Sequence, residues 1–215
     1  MSMKVGIIGS GSVGRTLAKD FIRLGHQVVL GTRSPEKANA ELEKERVSAC
    51  AASNEEAAKF GEWLVLCTKW DGVENAIELA KKEHFSGKIV IDTTNPLKFE
   101  VEGKPPVPGI VYPDSMGKRV QDLLPQSKVV KCFNIVTAAY MLNPALKDGT
   151  PTLFICGNDA PTKQQVSEFV KGVGWEVHDL GDITQSYLLE NMAILWTHYG
   201  FFNNHWNHAF KLLQK

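Results

Sequence analysis

Two clusters of this chain could do chemistry together: Gly9-Ser10-Gly11-Ser12-Val13-Gly14 and, some twenty residues on, Thr32-Arg33-Ser34 with Lys37. The three glycines stand where a dinucleotide-binding turn needs them. Gly9 permits the tight turn, Gly11 lets a pyrophosphate approach the backbone, and Gly14 lets the following helix lie close to the sheet. A helix starting near Ser12 would aim its free N–H groups and the positive end of its dipole at the phosphates. Proteins that bind NAD place an Asp or Glu at the end of the second strand to accept from the ribose 2′-OH. This chain has none there. A carboxylate would repel a 2′-phosphate, whereas the Arg33 fork pairs with one through charge-assisted bonds of roughly 1.5–3 kcal/mol each. The pattern therefore points to NADP, the alternative being that Arg33 and Lys37 are solvated charges opening a helix.

These residues need a strand–turn–helix–strand frame, and the flanking sequence supplies it. Val5–Ile8 is a short apolar run, and Leu17, Ala18, Phe21, Ile22 and Leu24 follow at helical spacing until Gly25. Gln27–Leu30 is the second strand, so the whole unit fits in about thirty residues, the size of one βαβ element. Further on, helices are expected from Ser34-Pro35 to about Arg46, after a Ser53 or Asn54 cap, over Val73–Lys82, after Ser115, and from about Thr162 to Val173. A short helix is expected around Tyr140-Met141-Leu142. Strands are expected at Val47–Cys50, Trp63–Thr68, Lys88–Thr94, Lys128–Phe133, Thr152–Cys156 and Glu176–Asp179. Near-continuous apolar strands alternating with helices imply a parallel sheet covered on both faces. The ends of the fourth to sixth strands then lie on the ligand-binding edge. Cys67, Thr68, Asn95, Pro96 and Asn134 are accordingly expected at the nicotinamide end.

Composition narrows the class. The 215 residues are 43% hydrophobic and 22% charged with zero net charge, as in an ordinary globule. They suffice for one α/β domain, 1–215, with 184–215 as a helical tail. The absence of a basic block argues against nucleic acid or anionic lipid as partner. No apolar run approaches the ~20 residues of a membrane span, and the start runs directly into a strand, so a cytoplasmic protein is expected. Cys50, Cys67, Cys132 and Cys156 lack metal-type spacing and read as buried reduced thiols. Two segments fall outside this frame. Lys98–Asp114, with four prolines, has the length of a lid, a binding loop or a stiffened surface excursion. The tail from Thr184 to Gln214 reads as helix, open to a break near Gly200, and is rich in aromatic residues. His198, His205 and His208 would share a face of it, but no carboxylate joins them, so packing or dimerisation is expected rather than a metal site.

Several segments together resemble one family: the glycine turn, Gly31-Thr32-Arg33-Ser34-Pro35-Glu36-Lys37-Ala38, Ile91-Asp92-Thr93-Thr94-Asn95-Pro96, Val129-Val130-Lys131-Cys132-Phe133-Asn134, Cys156-Gly157-Asn158-Asp159 and Leu180-Gly181-Asp182. In that order they are similar to the NADP oxidoreductases that use the deazaflavin coenzyme F420, and to the reductase domain of the six-transmembrane ferric reductases. The resemblance implies a Rossmann-type, doubly wound, mostly parallel sheet of about eight strands, extended by the last two, and commonly a homodimer. It implies phosphate contacts from Ser10, Gly11, Ser12 and Val13, and 2′-phosphate contacts from Thr32, Arg33 and Lys37. Cys67-Thr68-Lys69-Trp70 departs from the family pattern of threonine, apolar residue and proline. The activity implied is hydride transfer between NADP(H) and a small redox acceptor: a deazaflavin, a flavin, or a ferric chelate reached through flavin. No general acid or base is expected in the site, since the cofactors carry the chemistry. The Lys98–Asp114 loop and a Tyr187–Trp196 helix would wall in the second ring. Two rivals stand beside this reading. A small-carbonyl or imine reductase of the hydroxyacid dehydrogenase type usually needs a large helical second domain with a catalytic Lys or Asp, for which the tail is too short. A non-catalytic NADPH-binding sensor would bind NADPH without turnover.

Overall fold

The computed structural model describes residues 2–214. In chain order these form β1 (Lys4–Ile8), α1 (Ser12–Arg23), β2 (Gln27–Thr32), α2 (Pro35–Lys44), β3 (Cys50–Ser53), α3 (Asn54–Phe60), β4 (Trp63–Leu66) and α4 (Val73–Ala80). Then come β5 (Ile89–Asp92), a small pair β6 (Leu97–Lys98) and β7 (Val107–Pro108), α5 (Met116–Leu123), β8 (Lys128–Lys131) and α6 (Ala138–Met141). β9 (Thr152–Gly157), α7 (Ala160–Gly172), β10 (Glu176–Asp179) and α8 (Ser186–Asn203) complete the chain. The main sheet has the order β10-β9-β8-β5-β4-β1-β2-β3. Within it the six neighbouring strands β8, β5, β4, β1, β2 and β3 are parallel, β9 is antiparallel to β8, and β10 is parallel to β9. The chain moves outward from β1 through β2 to β3, then returns to the other side of β1 as β4. That reversal is the switch point at which doubly wound sheets bind ligands.

The continuous apolar strands are explained by the two helical layers. In β4, Val65 faces the α1 side while Leu64 and Leu66 face the α3–α4 side. In β5, Ile89 and Ile91 face the first layer and Val90 the second. With both faces covered, the central strand positions are mostly apolar, and the buried polar exceptions, Asp92 of β5 and Lys131 of β8, pair with each other. α1 buries Gly14, Leu17, Ala18 and Phe21, a single stripe at helical spacing. On the opposite face a Cβ on Gly6 would lie 2.2 Å from the Ala57 carbonyl, so the glycine lets α3 approach β1.

Three expectations are corrected. The third strand is not Val47–Cys50 but Cys50–Ser53. Arg46 takes a left-handed conformation (φ 54°) after α2, Val47 N–H donates to Leu42 O and Arg46 N–H to Glu43 O. Val47 is thus the buried apolar residue of a Schellman-type helix end, and the strand starts later. Cys50 is exposed rather than buried. The tail helix ends at Asn203, with Asn204 left-handed (φ 45°), and residues 204–214 fold back as an irregular strap. His205 and His208 therefore do not share a helix face with His198. The Lys98–Asp114 segment is largely irregular, but its base is closed by the β6–β7 pairing.

One buried charge cluster ties the ligand edge to the tail. Lys131 Nζ, fully buried, lies 3.0 Å from Asp92 Oδ2 and 2.9 Å from Glu190 Oε1. It also donates to the Thr94 carbonyl. Asp92 Oδ1 accepts from the Thr94 N–H (2.9 Å) and hydroxyl (2.6 Å). Glu190, on α8, accepts from the N–H groups of Met116 (3.0 Å) and Gly117 (2.9 Å) in the first turn of α5. Burial works to lower the Lys131 pKa, but the Asp92 and Glu190 carboxylates outweigh it and hold it above 10.5. The ammonium thus supports the fold at all pH below that ordinary value, and this support is lost only as pH climbs through the raised one. Lys131→Met would leave two carboxylates buried without their cation. The expected loss is about 3–5 kcal/mol of unfolding free energy, read from the urea midpoint; an unchanged midpoint would contradict the cluster's role.

Candidate functional site

At the phosphate end the geometry is made by the backbone. Gly9 has φ 126° and its N–H donates to Gly31 O (3.1 Å), which folds the turn back over β2. A Cβ on Gly14 would lie 1.9 Å from the Gly9 carbonyl, so no larger residue fits beneath the turn. Around Gly11, by contrast, nothing lies within 4 Å of where a Cβ would be. The open side is the room a diphosphate requires. Gly11 caps α1 with no side-chain hydrogen bond, which leaves first-turn N–H groups available to an anion. The Thr32 hydroxyl accepts from Ser10 Oγ (2.8 Å) and from Ser34 N–H (3.2 Å), locking the glycine turn to the end of β2.

A groove of about 850 Å³ runs along this edge, lined by Gly9, Ser10, Gly11, Ser12, Val13, Thr32, Arg33, Ser34, Lys37, Cys67 and Thr68, with Gly14 packed below. Arg33 and Lys37 are exposed, and no carboxylate ends β2. Glu41, one turn beyond Lys37, also lines the groove and is paired with Lys44 at 3.2 Å. Two lining residues carry no sequence signal. Arg15 braces the turn, its Nη1 donating to Ser10 O (3.0 Å) while Nε pairs with Glu45 (2.8 Å). Asn54 is buried beside Gly31 at the head of α3.

The groove continues into a second pocket of about 390 Å³, with Ser12, Val13, Cys67 and Thr68 lining both. Thr93, Thr94, Asn95 and Asn134 line its sheet side. Asn95 Nδ2 donates to Asn134 O (2.6 Å), and Asn134 Nδ2 donates to Asn95 Oδ1 and Leu189 O (both 2.9 Å). The buried Phe133 has φ 63°, a strained conformation for a bulky residue, and it turns the chain out of β8 to place Asn134. Pro96 is not part of this pocket. It lines a recess of only about 10 Å³ with Pro108, Ile110, Tyr187, Glu190, Asn191 and Ile194. The Lys98–Asp114 loop is likewise packed against α8 there, and the second pocket is walled instead by Trp196 and Trp206.

Among the described residues, the second pocket is lined by hydroxyls, amides, apolar groups and one thiol, and by no carboxylate, imidazole or ammonium. Cys67 Sγ–H points at the Gly9 carbonyl (3.3 Å), and burial pushes its pKa up to about 12. It is a packing group at neutral pH, neither a nucleophile nor a base.

Comparison with known proteins agrees with this geometry. The family described as NADP oxidoreductase, coenzyme F420-dependent, matches residues 4–96. The F420-dependent NADP reductase of Methanocaldococcus jannaschii is 30% identical over 209 residues, covering 90% of each chain. Human metalloreductase STEAP2 is 30% identical over 201 residues, which are 88% of this chain and 36% of that protein. The chain thus spans about a third of the length of the metalloreductases it matches. A crystal structure from Arthrobacter sp. FB24, assigned as an F420-dependent NADP-reductase, superposes with a TM-score of 0.92 at 32% identity, covering 99% of this chain and 100% of that one. The chain belongs to the coenzyme F420-dependent NADP oxidoreductase family.

The thiols offer a check on this description of the edge. Burial raises the pKa of Cys132, of Cys156 to about 11 and of Cys67 to about 12, while Cys50 is exposed. At pH 8 the native protein should give one fast-reacting thiol with an aromatic disulfide reagent, and Cys50→Ser should abolish it. Rapid labelling of Cys67 would show that the turn is more open than described.

Proposed function

We propose that the chain transfers hydride between NADPH and an acceptor with a flat isoalloxazine-type ring, either coenzyme F420 or a flavin. In this reading the diphosphate lies on the Gly9–Val13 turn. Thr32, Arg33, Ser34 and Lys37 hold the 2′-phosphate, and the nicotinamide lies over Cys67, Thr68, Asn95 and Asn134. One observation carries it: among the described residues, the pocket lined by Cys67, Thr68, Asn95 and Asn134 has no carboxylate, imidazole or ammonium, and burial raises the pKa of its thiol to about 12. Reduction of a carbonyl or imine ordinarily draws on such a group. Hydride passing between two rings does not, and the protein's part is to stack them at near-attack separation, about 3–3.5 Å, and exclude water. The likeness to the metalloreductases supports a ferric chelate as a further destination for the electrons, through a reduced flavin.

Leu188, Leu195, Tyr199 and Phe202 form an exposed apolar stripe on α8, which we read as the face that a second copy of the chain covers. Among the described residues no helix is long and apolar enough to cross a membrane. The lack of metal-type or paired cysteine spacing suits a reducing, cytoplasmic setting. Mixing the protein with NADPH and either coenzyme F420 or FMN should produce acceptor-dependent loss of the reduced-nicotinamide absorbance. Absence of oxidation with both acceptors would overturn the assignment of acceptor class.

A further inference from the structure

Trp206 belongs to the irregular strap, yet it packs against α8. Its ring lies over Gly200, where a Cβ would come within 2.5 Å, and Phe201 meets it edge-on at 5.3 Å. The strap itself is pinned at several points. Trp196 Nε1 donates to His208 O (2.9 Å), His208 Nε2–H donates to Trp196 O (3.1 Å), and the two rings stack at 4.6 Å with 19° between planes. Further along, Thr152 N–H donates to Phe210 O (2.8 Å), and Leu212 N–H donates to Thr152 Oγ1 (3.0 Å). Nevertheless Trp206 keeps 39% of its surface open, and both it and Trp196 line the 390 Å³ pocket opposite Asn95 and Asn134. The two indoles lie 5.7 Å apart at 52°, presenting a part-exposed aromatic wall.

An indole fixed in place but left uncovered has a flat apolar surface to offer a partner ring. From this we infer that Trp196 and Trp206 are the docking face for the acceptor, and that the 204–214 strap determines acceptor specificity by holding Trp206 there. The class selected is a flat, fused aromatic ring, which has the area to cover an indole face while its far edge extends toward Asn95 and Asn134. This rests on the proposed function above. On transfer, the C–H bond at the dihydronicotinamide C4 breaks with its electron pair and a bond to the acceptor ring forms. NADPH is thereby oxidised and the ring reduced, the balancing proton coming from solvent.

The test uses Trp206→Ala and Trp206→Phe in the full chain, with coenzyme F420 and FMN assayed separately. NADPH affinity serves as the control for folding. Alanine should raise the acceptor KM at least tenfold and phenylalanine less than threefold, with NADPH affinity unchanged in both. Which acceptor shows the effect identifies the ring. An unchanged acceptor KM in Trp206→Ala would overturn the inference while leaving NADPH-dependent turnover intact. If wild-type protein turned over neither acceptor, titration of its NADP complex with each ring would decide. Quenching of tryptophan fluorescence, lost in Trp206→Ala, would keep the docking face and reject the reaction; no quenching would reject the docking face.

Discussion

Burying the Lys131 ammonium between Asp92 and Glu190 is the commitment on which the ligand edge depends. The three charges come from β5, β8 and α8, and the excess negative charge faces the first-turn amides of α5. A buried cluster of this kind tolerates little rearrangement, because moving any member leaves another without its partner in a low-dielectric interior. Its consequences are positional. Asp92 and Lys131 together bond the backbone and hydroxyl of Thr94, and so set the path of the chain into Asn95. Glu190 fixes the rotation and height of α8, which carries Trp196 less than two turns further on.

The two ends of the site are made by different physics. At the phosphate end the work is done by what is missing: no Cβ on Gly9, Gly11 or Gly14, and no side-chain cap on α1. Backbone amides and a helix dipole suit an anion whose position is fixed by charge. At the other end the walls are side chains, with an Asn95–Asn134 pair on the sheet side and two indoles on the tail side. A flat neutral ring offers little charge to hold, so shape and apolar area must position it. Between the two ends stands Cys67, kept protonated by burial, its sulfur against the Gly9 carbonyl.

How far each part could be read from sequence follows from how local its cause is. The glycine turn, the start of α1 and the cationic end of β2 were legible because one short segment carries both the constraint and its solution. The paired layers are legible for a similar reason, since strands with near-continuous apolar runs need cover on both faces. Val47 reads as a strand residue in sequence because a Schellman ending with Arg46 in a left-handed conformation replaces the usual glycine signal. Trp206, His208 and Phe210 look like a continued apolar stripe, and only packing on Gly200 and on Thr152 of β9 shows that they turn back. The Lys131 cluster could not be read at all, as its partners lie 39 residues before and 59 after it and the charges carry no periodicity. Pro96 follows Asn95 directly, but it packs toward α8 rather than toward the groove, a choice of side that sequence adjacency does not reveal.

The central claim is that a cationic end of β2 and a bare glycine turn together bind a 2′-phosphorylated dinucleotide. Calorimetric titration of the wild-type chain and of Arg33→Ala with NADPH and with NADH tests it most directly. Wild-type protein should bind NADPH at least tenfold more tightly than NADH, a difference of about 1.4 kcal/mol or more, and Arg33→Ala should lose most of that preference while its NADH affinity stays nearly constant. Equal losses for both nucleotides, or no heat with NADPH at all, would contradict it.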